Sequence, residues 1–234
     1  MLIIPVIDLS HGLVVHAKQG LRKSYQPITS VIAATADPLT VVTSFLELYP
    51  FRIIYIADLD AIQKTGSHSE LILELASQYQ QCEFWLDAGI EAIKEKKSEY
   101  SADNIKFILG SENKLPEHEF TSLIKNKADL ILSLDFNEQG LIENPYLLEN
   151  SSLWPEQIIA MSLSQVGSNN GVDVLQLNNV LSLAANKIVY AAGGIRNTDD
   201  LLQLKSTSVK GVLLATALHN GAITKDELKV FLDE

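Results

Sequence analysis

The sequence holds a single cysteine, Cys82, so no disulfide can form within the chain. A lone thiol suits a reducing compartment, and a cytoplasmic location is expected. Basic residues are also scarce: 18 Lys and Arg face 29 Asp and Glu, a formal charge of −11. That balance argues against nucleic acid or an anionic membrane surface as partners. Long apolar runs are missing. The longest, Leu2–Ile7 and Lys210–Leu218, stop far short of the roughly 20 residues that a membrane-spanning helix needs. The opening MLIIPVID has no basic segment and no small-residue cleavage site, and so reads as a strand, not an export signal. There is no CxxC or HExxH, and His11 and His16 lack zinc-site spacing. No Gly-rich dinucleotide fingerprint follows the first apolar run. No metal or cofactor is expected.

What is present is a repeating pattern. At 234 residues, 47% of them hydrophobic, the chain has the length and core material of one barrel domain spanning 1–234. Apolar runs rich in Val, Ile and Leu predict strands at 2–8, 53–58, 82–87, 105–109, 129–135, 157–163, 187–192 and 209–215. Helical patterns fall between them at 38–49, 68–79, 90–98, 117–125, 173–185, 197–205 and 224–232, with only a short piece near 151–154. Strands apolar on both faces imply a parallel sheet covered by helices, and eight of them imply an α/β fold closed as a (β/α)8 TIM barrel. A doubly wound open sheet is the competing architecture.

An internal repeat favours the barrel. FWLDAGI at 84–90 matches VYAAGGI at 189–195, and FILGSEN at 107–113 matches VLLATAL at 212–218. Ile90 and Ile195 are 105 residues apart, as are Gly110 and Ala215. The first and fifth strands end alike, in VID at 6–8 and SLD at 133–135. Two similar half-barrels account for all three matches.

In such a barrel the functional side chains sit at the C-terminal strand ends. Four predicted strands end in a carboxylate: Asp8, Asp58, Asp87 and Asp135. An aspartate there can simply cap the next segment or accept loop N–H groups. Asp8 and Asp135 stand at equivalent places in the two halves, where opposed carboxylates can take and return a proton. The four could instead hold Mg2+, with Asp58 and Asp87 as ligands. Gly193 and Gly194 end the seventh strand and let backbone N–H groups approach an anion closely. Ala215 and Thr216, after the eighth strand, could add N–H groups from a short helical turn, a recurrent barrel arrangement for phosphate. The alternative is a tight turn with no ligand. Gly110 and Ser111 are the matching candidates in the other half, but Asp87 beside them opposes a phosphate.

Positive charge concentrates at 11–23, in His11, His16, Lys18, Arg22 and Lys23. This segment is either a basic loop over the mouth, with Lys18 and Arg22 meeting an anionic ligand, or a solvated β-hairpin. Lys106 and Lys187 fall near strand starts, which disfavours a Schiff-base lysine. Trp85 and Trp154 read as packing residues.

The segments IIPVIDLSHGLVVHAKQG, IIYIADLDAI, LGS at 109–111, LSLDF at 132–136, AAGGI at 191–195 and GVLLATAL at 211–218 resemble the histidine-biosynthesis barrels, the ProFAR isomerase (HisA) and its related cyclase. The resemblance spans essentially the whole chain. It implies an Amadori aldose–ketose rearrangement with Asp8 as general base, Asp135 assisting, and two phosphate sites for a bisphosphate. Three positions depart from the isomerase pattern. Val166 precedes Gly167 where the isomerases carry an acid, Asp87-Ala88-Gly89 replaces a Gly-rich turn, and Ala215-Thr216 replaces a Gly-Arg pair. The sequence looks closer to a divergent HisA-related branch of methanogens and methylotrophs, associated with one-carbon carrier cofactors.

The expected activity is therefore that of a HisA-like isomerase, or a related acid–base enzyme, on a small phosphorylated substrate. A true ProFAR isomerase, an Mg2+-dependent lyase or synthase, and a non-catalytic barrel subunit remain as alternatives. A monomer or small homo-oligomer is expected.

Overall fold

A run such as Ile53–Asp58, buried at nearly every position, has no polar face to give to water and must be covered on both sides. The computed structural model, which describes residues 1–18, 21, 24–94, 99–126, 129–168 and 171–232, shows how the chain does this. In chain order the first half contains β1 (Leu2–Ser10), β2 (Leu13–Val15), α1 (Pro38–Leu48), β3 (Ile53–Asp58), α2 (Leu59–Ile62), α3 (Ser69–Gln78), β4 (Glu83–Asp87), α4 (Gly89–Lys94), β5 (Ile105–Gly110) and α5 (Glu117–Asn126). The second contains β6 (Ile131–Asn137), β7 (Gly140–Leu141), α6 (Tyr146–Glu149), β8 (Gln157–Ser162), α7 (Val174–Leu183), β9 (Ile188–Ala192), α8 (Thr198–Lys205), β10 (Gly211–Leu214), α9 (Thr216–His219) and α10 (Lys225–Leu232). Among the described residues, no helix is long and apolar enough to cross a membrane.

Eight strands pair in parallel in the order β1, β3, β4, β5, β6, β8, β9, β10, and β10 returns to pair with β1. This is a closed (β/α)8 barrel, as the alternation of runs predicts. The two remaining strands are hairpin returns: β2 pairs antiparallel with β1, and β7 with β6. They occur at barrel positions one and five, the places that the sequence repeat makes equivalent. Of the two readings of segment 11–23, Leu13–Val15 adopts the hairpin. It is held on its far side by the His16 N–H donating to the Gln26 carbonyl at 2.8 Å.

Helix starts follow local chemistry. Asp37 caps α1 by accepting the Thr40 N–H at 2.8 Å, with Pro38 at the first helical position, where its missing N–H costs nothing. Asp173 and Asn197 cap α7 and α8 in the same way. The fifth crossover is short, as its weak helical pattern predicts: α6 is followed by a 3-10 turn at Ser151–Leu153.

Alternate side chains face the barrel axis. Ile4, Tyr55, Trp85, Ile108, Ile131, Ile159, Tyr190 and Leu213 fill the interior, while the intervening residues pack under the helices. Trp85 meets Tyr190 edge to face across the axis, with centroids 4.8 Å apart, and its indole N–H donates to Glu83 at 2.7 Å. Trp154 is also buried, donating to the Leu147 carbonyl at 2.8 Å. Both tryptophans serve packing.

Closure depends on a glycine. At the seam Gly211 lies opposite Leu2, and a Cβ on it would sit 2.8 Å from both the Leu2 Cβ and the Leu2 carbonyl oxygen. Gly211→Ala must push β1 away from β10, at a cost of about 2 kcal/mol and about 4–8 °C in Tm. A thermal melt checks this, and an unchanged Tm contradicts the assigned closure.

Candidate active site

The C-terminal strand ends open onto a cavity of about 600 Å3. Its lining includes Asp8, Asp87 and Asp135 of the four strand-end aspartates, and all of Gly193, Gly194, Ala215 and Thr216. Asp58, Gly110, Ser111 and Lys18 are not part of the lining. Arg22 lies outside the described residues.

Strand parity explains the odd aspartate. On β3, Tyr55 and Ala57 belong to the barrel interior, so Asp58, the next residue, must point outward beneath the helices. There it is fully buried. It accepts the Ala61 N–H at 3.1 Å as the cap of α2, the His68 N–H at 2.8 Å and the Tyr100 hydroxyl at 2.9 Å, and pairs with His68 Nδ1 at 2.8 Å. Burial pushes the Asp58 carboxyl up, but these hydrogen bonds, led by those from His68, outweigh burial and hold it below the usual carboxylate range. The bond to Asp58 in turn raises His68, against burial. Asp58 is thus a buried cap and anchor. The same cluster fixes the turn that follows Asp8. Asp60 accepts the His11 N–H at 2.9 Å and the Ser10 hydroxyl at 3.0 Å, while His68 Nε2 accepts the Gly12 N–H at 2.9 Å.

Asp135 sits opposite β1, four strands away around the barrel, and is only 6% exposed. Its Oδ1 accepts the Ser133 hydroxyl at 2.6 Å, and Ser111 Oγ accepts its backbone N–H at 2.8 Å. The Ser111 hydroxyl and the Glu112 N–H approach Oδ2, each at 3.3 Å. Burial pushes its pKa up to about 7; the Ser133 hydrogen bond opposes this, and the nearby charges of Glu112 and Asp87 add to it. Gly110 and Ser111, expected as a second anion cradle, lie against Asp135 and outside the cavity lining. Ser111 is fully buried against Asp135, and a Cβ on Gly110 would stand 3.0 Å from Asp135 Oδ2.

Gly193 and Gly194 have φ of 96° and 83°. A Cβ on Gly193 would overlap the Ser162 carbonyl, and one on Gly194 the Gly171 carbonyl. The pair is needed for backbone packing between the loops after β8 and β9, whatever else it does. Lys18 is exposed, and its backbone packs against Gly167: a Cβ there would lie 2.6 Å from the Ala17 oxygen. The loop after β2 thus touches the loop after β8 beside Val166, which lines the cavity.

Among the lining residues not anticipated from sequence are Tyr55, Glu112 and Arg196. Two-residue alternation from Ala57 gives Tyr55 away, and Arg196 directly follows the Gly-Gly-Ile segment. Arg196 turns its guanidinium to Asp200, with Nε and Nη2 donating at 2.9 and 2.8 Å, which holds the Asp200 carboxyl below its usual range. No three His, Cys, Asp or Glu side chains among the described residues converge as a metal-ligand set. Asp58 and Asp87, the pair expected for Mg2+, lie on opposite faces of the sheet.

A closed parallel barrel with acidic strand ends around a cavity at its C-terminal mouth defines the class to which this protein belongs. Within that class, the chain is a member of the histidine biosynthesis protein family, whose sequence profile matches residues 2–224. An uncharacterized protein of Methanocaldococcus jannaschii is 33% identical over 234 aligned residues, covering 97% of each chain. The 1-(5-phosphoribosyl)-5-((5-phosphoribosylamino)methylideneamino)imidazole-4-carboxamide isomerase (ProFAR isomerase) of Bacteroides thetaiotaomicron is 22% identical over 244 residues, covering 98% of this chain and 99% of that protein. The isomerase of the same name from Thioalkalivibrio sulfidiphilus is 25% identical over 250 residues, covering all of both chains.

The Asp58 anchor has a testable pH signature. Its lowered folded-state pKa means that its contribution is present above the unfolded carboxylate value, about 3.9, and is lost as pH falls through the folded value. Asp58→Asn lowers Tm at pH about 7, and the gap to wild type narrows below pH about 4. A gap independent of pH in paired melts contradicts an ionised, hydrogen-bonded Asp58.

Proposed function

We propose that the protein is an isomerase of the aldose–ketose type acting on a small phosphorylated, sugar-derived carbonyl compound. The observation that carries this reading is the pairing of Asp8 and Asp135 across one mouth, with Asp135 near pKa 7. An aldose–ketose rearrangement moves a proton between neighbouring carbons and adjusts another on oxygen or nitrogen. Asp8, partly exposed to the cavity, takes the carbon-bound proton. Asp135, which keeps its own proton near neutral pH, gives it to one heteroatom and recovers one from the other, while Asp8 returns its proton to the neighbouring carbon. Gly193, Gly194, Ala215 and Thr216 hold the phosphate from the opposite wall. The isomerase names of the relatives at 22% and 25% identity support the reaction class.

The same relatives favour a second reading, the ProFAR isomerase itself. Against it stands Val166 in the cavity wall, which can neither give nor take a proton where the resemblance calls for an acid. The relative at 33% identity does not carry the isomerase name. A role in one-carbon carrier cofactor synthesis is the setting we prefer. Complementation of a histidine auxotroph decides between the two: no growth is expected, and growth establishes the second reading.

Calorimetric titration with inorganic phosphate and ribose phosphate is expected to show saturable binding that Gly194→Asp abolishes. Binding indifferent to that change removes the phosphate assignment. Hydrogen exchange into ribose phosphate in D2O is expected to fall about 10²–10⁴-fold in Asp8→Asn. In wild type the exchange declines as pH rises through about 7, because the active Asp135 is the protonated form. Asp135→Asn loses that limb, and a limb that survives the substitution belongs to another group.

A further inference from the structure

Arg196 carries a charge that the proposed reaction leaves without a task. It lines the cavity in the loop after β9, two residues beyond Gly194. Among the described lining residues it is the one base, set against Asp8, Asp87, Glu112, Asp135 and Glu138. A dianionic ligand entering such a mouth meets mostly repulsion, and Arg196 is where a lining side chain can attract it.

Bracing the turn does not account for the guanidinium. The entry to α8 is closed without it: the Arg196 backbone N–H donates to Asp200 Oδ2 at 2.8 Å, and Asn197 accepts the Asp200 N–H at 3.2 Å. The Arg196 side chain is 42% exposed, and an ion pair so open to water adds little to stability. The pair does fix a direction. Nε and Nη2 donate to the two oxygens of Asp200, which holds one edge of the fork against a buried carboxylate. Of the five N–H groups of a guanidinium, the other three meet no partner among the described residues.

The fork also adjoins the glycine turn. A Cβ on Gly171 would stand 3.1 Å from Arg196 Nη2 and 3.2 Å from Cζ, and the Gly171 carbonyl is the group packed against Gly194. Guanidinium, Gly171 and Gly194 are thus contiguous. A planar fork with N–H groups to spare matches two oxygens of a phosphate monoester. We propose that Arg196 is the cation of the Gly193–Gly194 pole and selects a dianionic phosphate monoester, with Asp200 as its positioning residue. This inference rests on the phosphate reading of that pole.

The test is calorimetric titration of the full chain, at pH about 8, with methyl phosphate and dimethyl phosphate. The first is a dianion there, since its second proton leaves near pH about 6, while the second stays a monoanion of similar shape. Wild type is expected to bind methyl phosphate at least about tenfold tighter, and Arg196→Gln to bring the ratio near one. Arg196→Lys keeps the charge without the fork and is expected to retain part of the preference. Asp200→Asn is expected to weaken methyl phosphate binding although it removes a negative charge. If Asp200→Asn instead tightens binding, the positioning role is overturned. Equal binding of the two esters by wild type overturns the selection of a dianion. A preference that survives in Arg196→Gln, even with both esters weakened, marks a structural role and overturns the assignment to Arg196. In both cases Gly194→Asp still abolishes binding and the phosphate reading stands. A lysine variant that keeps the whole preference overturns the fork, and one that keeps none overturns the charge. No binding of either ester or of inorganic phosphate by wild type overturns the phosphate reading itself, and this inference with it.

Discussion

Closing eight parallel strands into a barrel forces every second side chain of each strand into one shared space. The rest of this molecule follows from that alternation. Below the mouth the shared space is filled by rings and branched chains, with Trp85 and Tyr190 meeting across the axis. At the C-terminal rim the same parity turns Asp8, Asp87 and Asp135 toward the cavity and Asp58 away from it. One residue of register separates a group that can face a ligand from one that braces a loop. Asp58, on the outer face, joins His68 and Asp60 in fixing the turn that follows Asp8. The brace and the strand-end carboxylate of Asp8 thus belong to one local structure.

Burial then makes the carboxylates unequal. Burial, with the charges of Glu112 and Asp87 beside it, raises Asp135 to about 7 against the opposing hydrogen bond from Ser133. Asp58, just as buried, is lowered, because more donors are aimed at it. The contrast shows that burial alone does not set a carboxyl's behaviour; the number and direction of hydrogen bonds decide. It also gives the mouth a polarity, with acids grouped on the β4–β6 side and backbone-rich glycine turns on the β9–β10 side.

Much of the fold was legible because its signals are local. The apolar runs place the barrel strands to within a few residues, and the repeat of AGI and AGGI segments marks the two halves. Asp8, Asp135, Gly193 and Gly194 could be placed at the mouth because strand ends are marked in the sequence. What stayed hidden depends on contacts between distant segments. Asp58 reads like the other strand-end acids until parity is followed from Tyr55 through Ala57. Gly110 and Ser111 look like a phosphate turn, and only the register of β5 against β6 brings them onto Asp135. The glycines of the seventh turn were assigned to a ligand on chemistry alone, but the carbonyls of Ser162 and Gly171 already require them.

The proposed acid–base chemistry requires Asp135 to hold a proton near neutrality. Carbon-detected NMR titration of its side-chain carboxyl measures this directly, with Asp135→Asn to assign the signal. A midpoint at about 7 is expected. A midpoint near 4, the ordinary aspartate range, would contradict it.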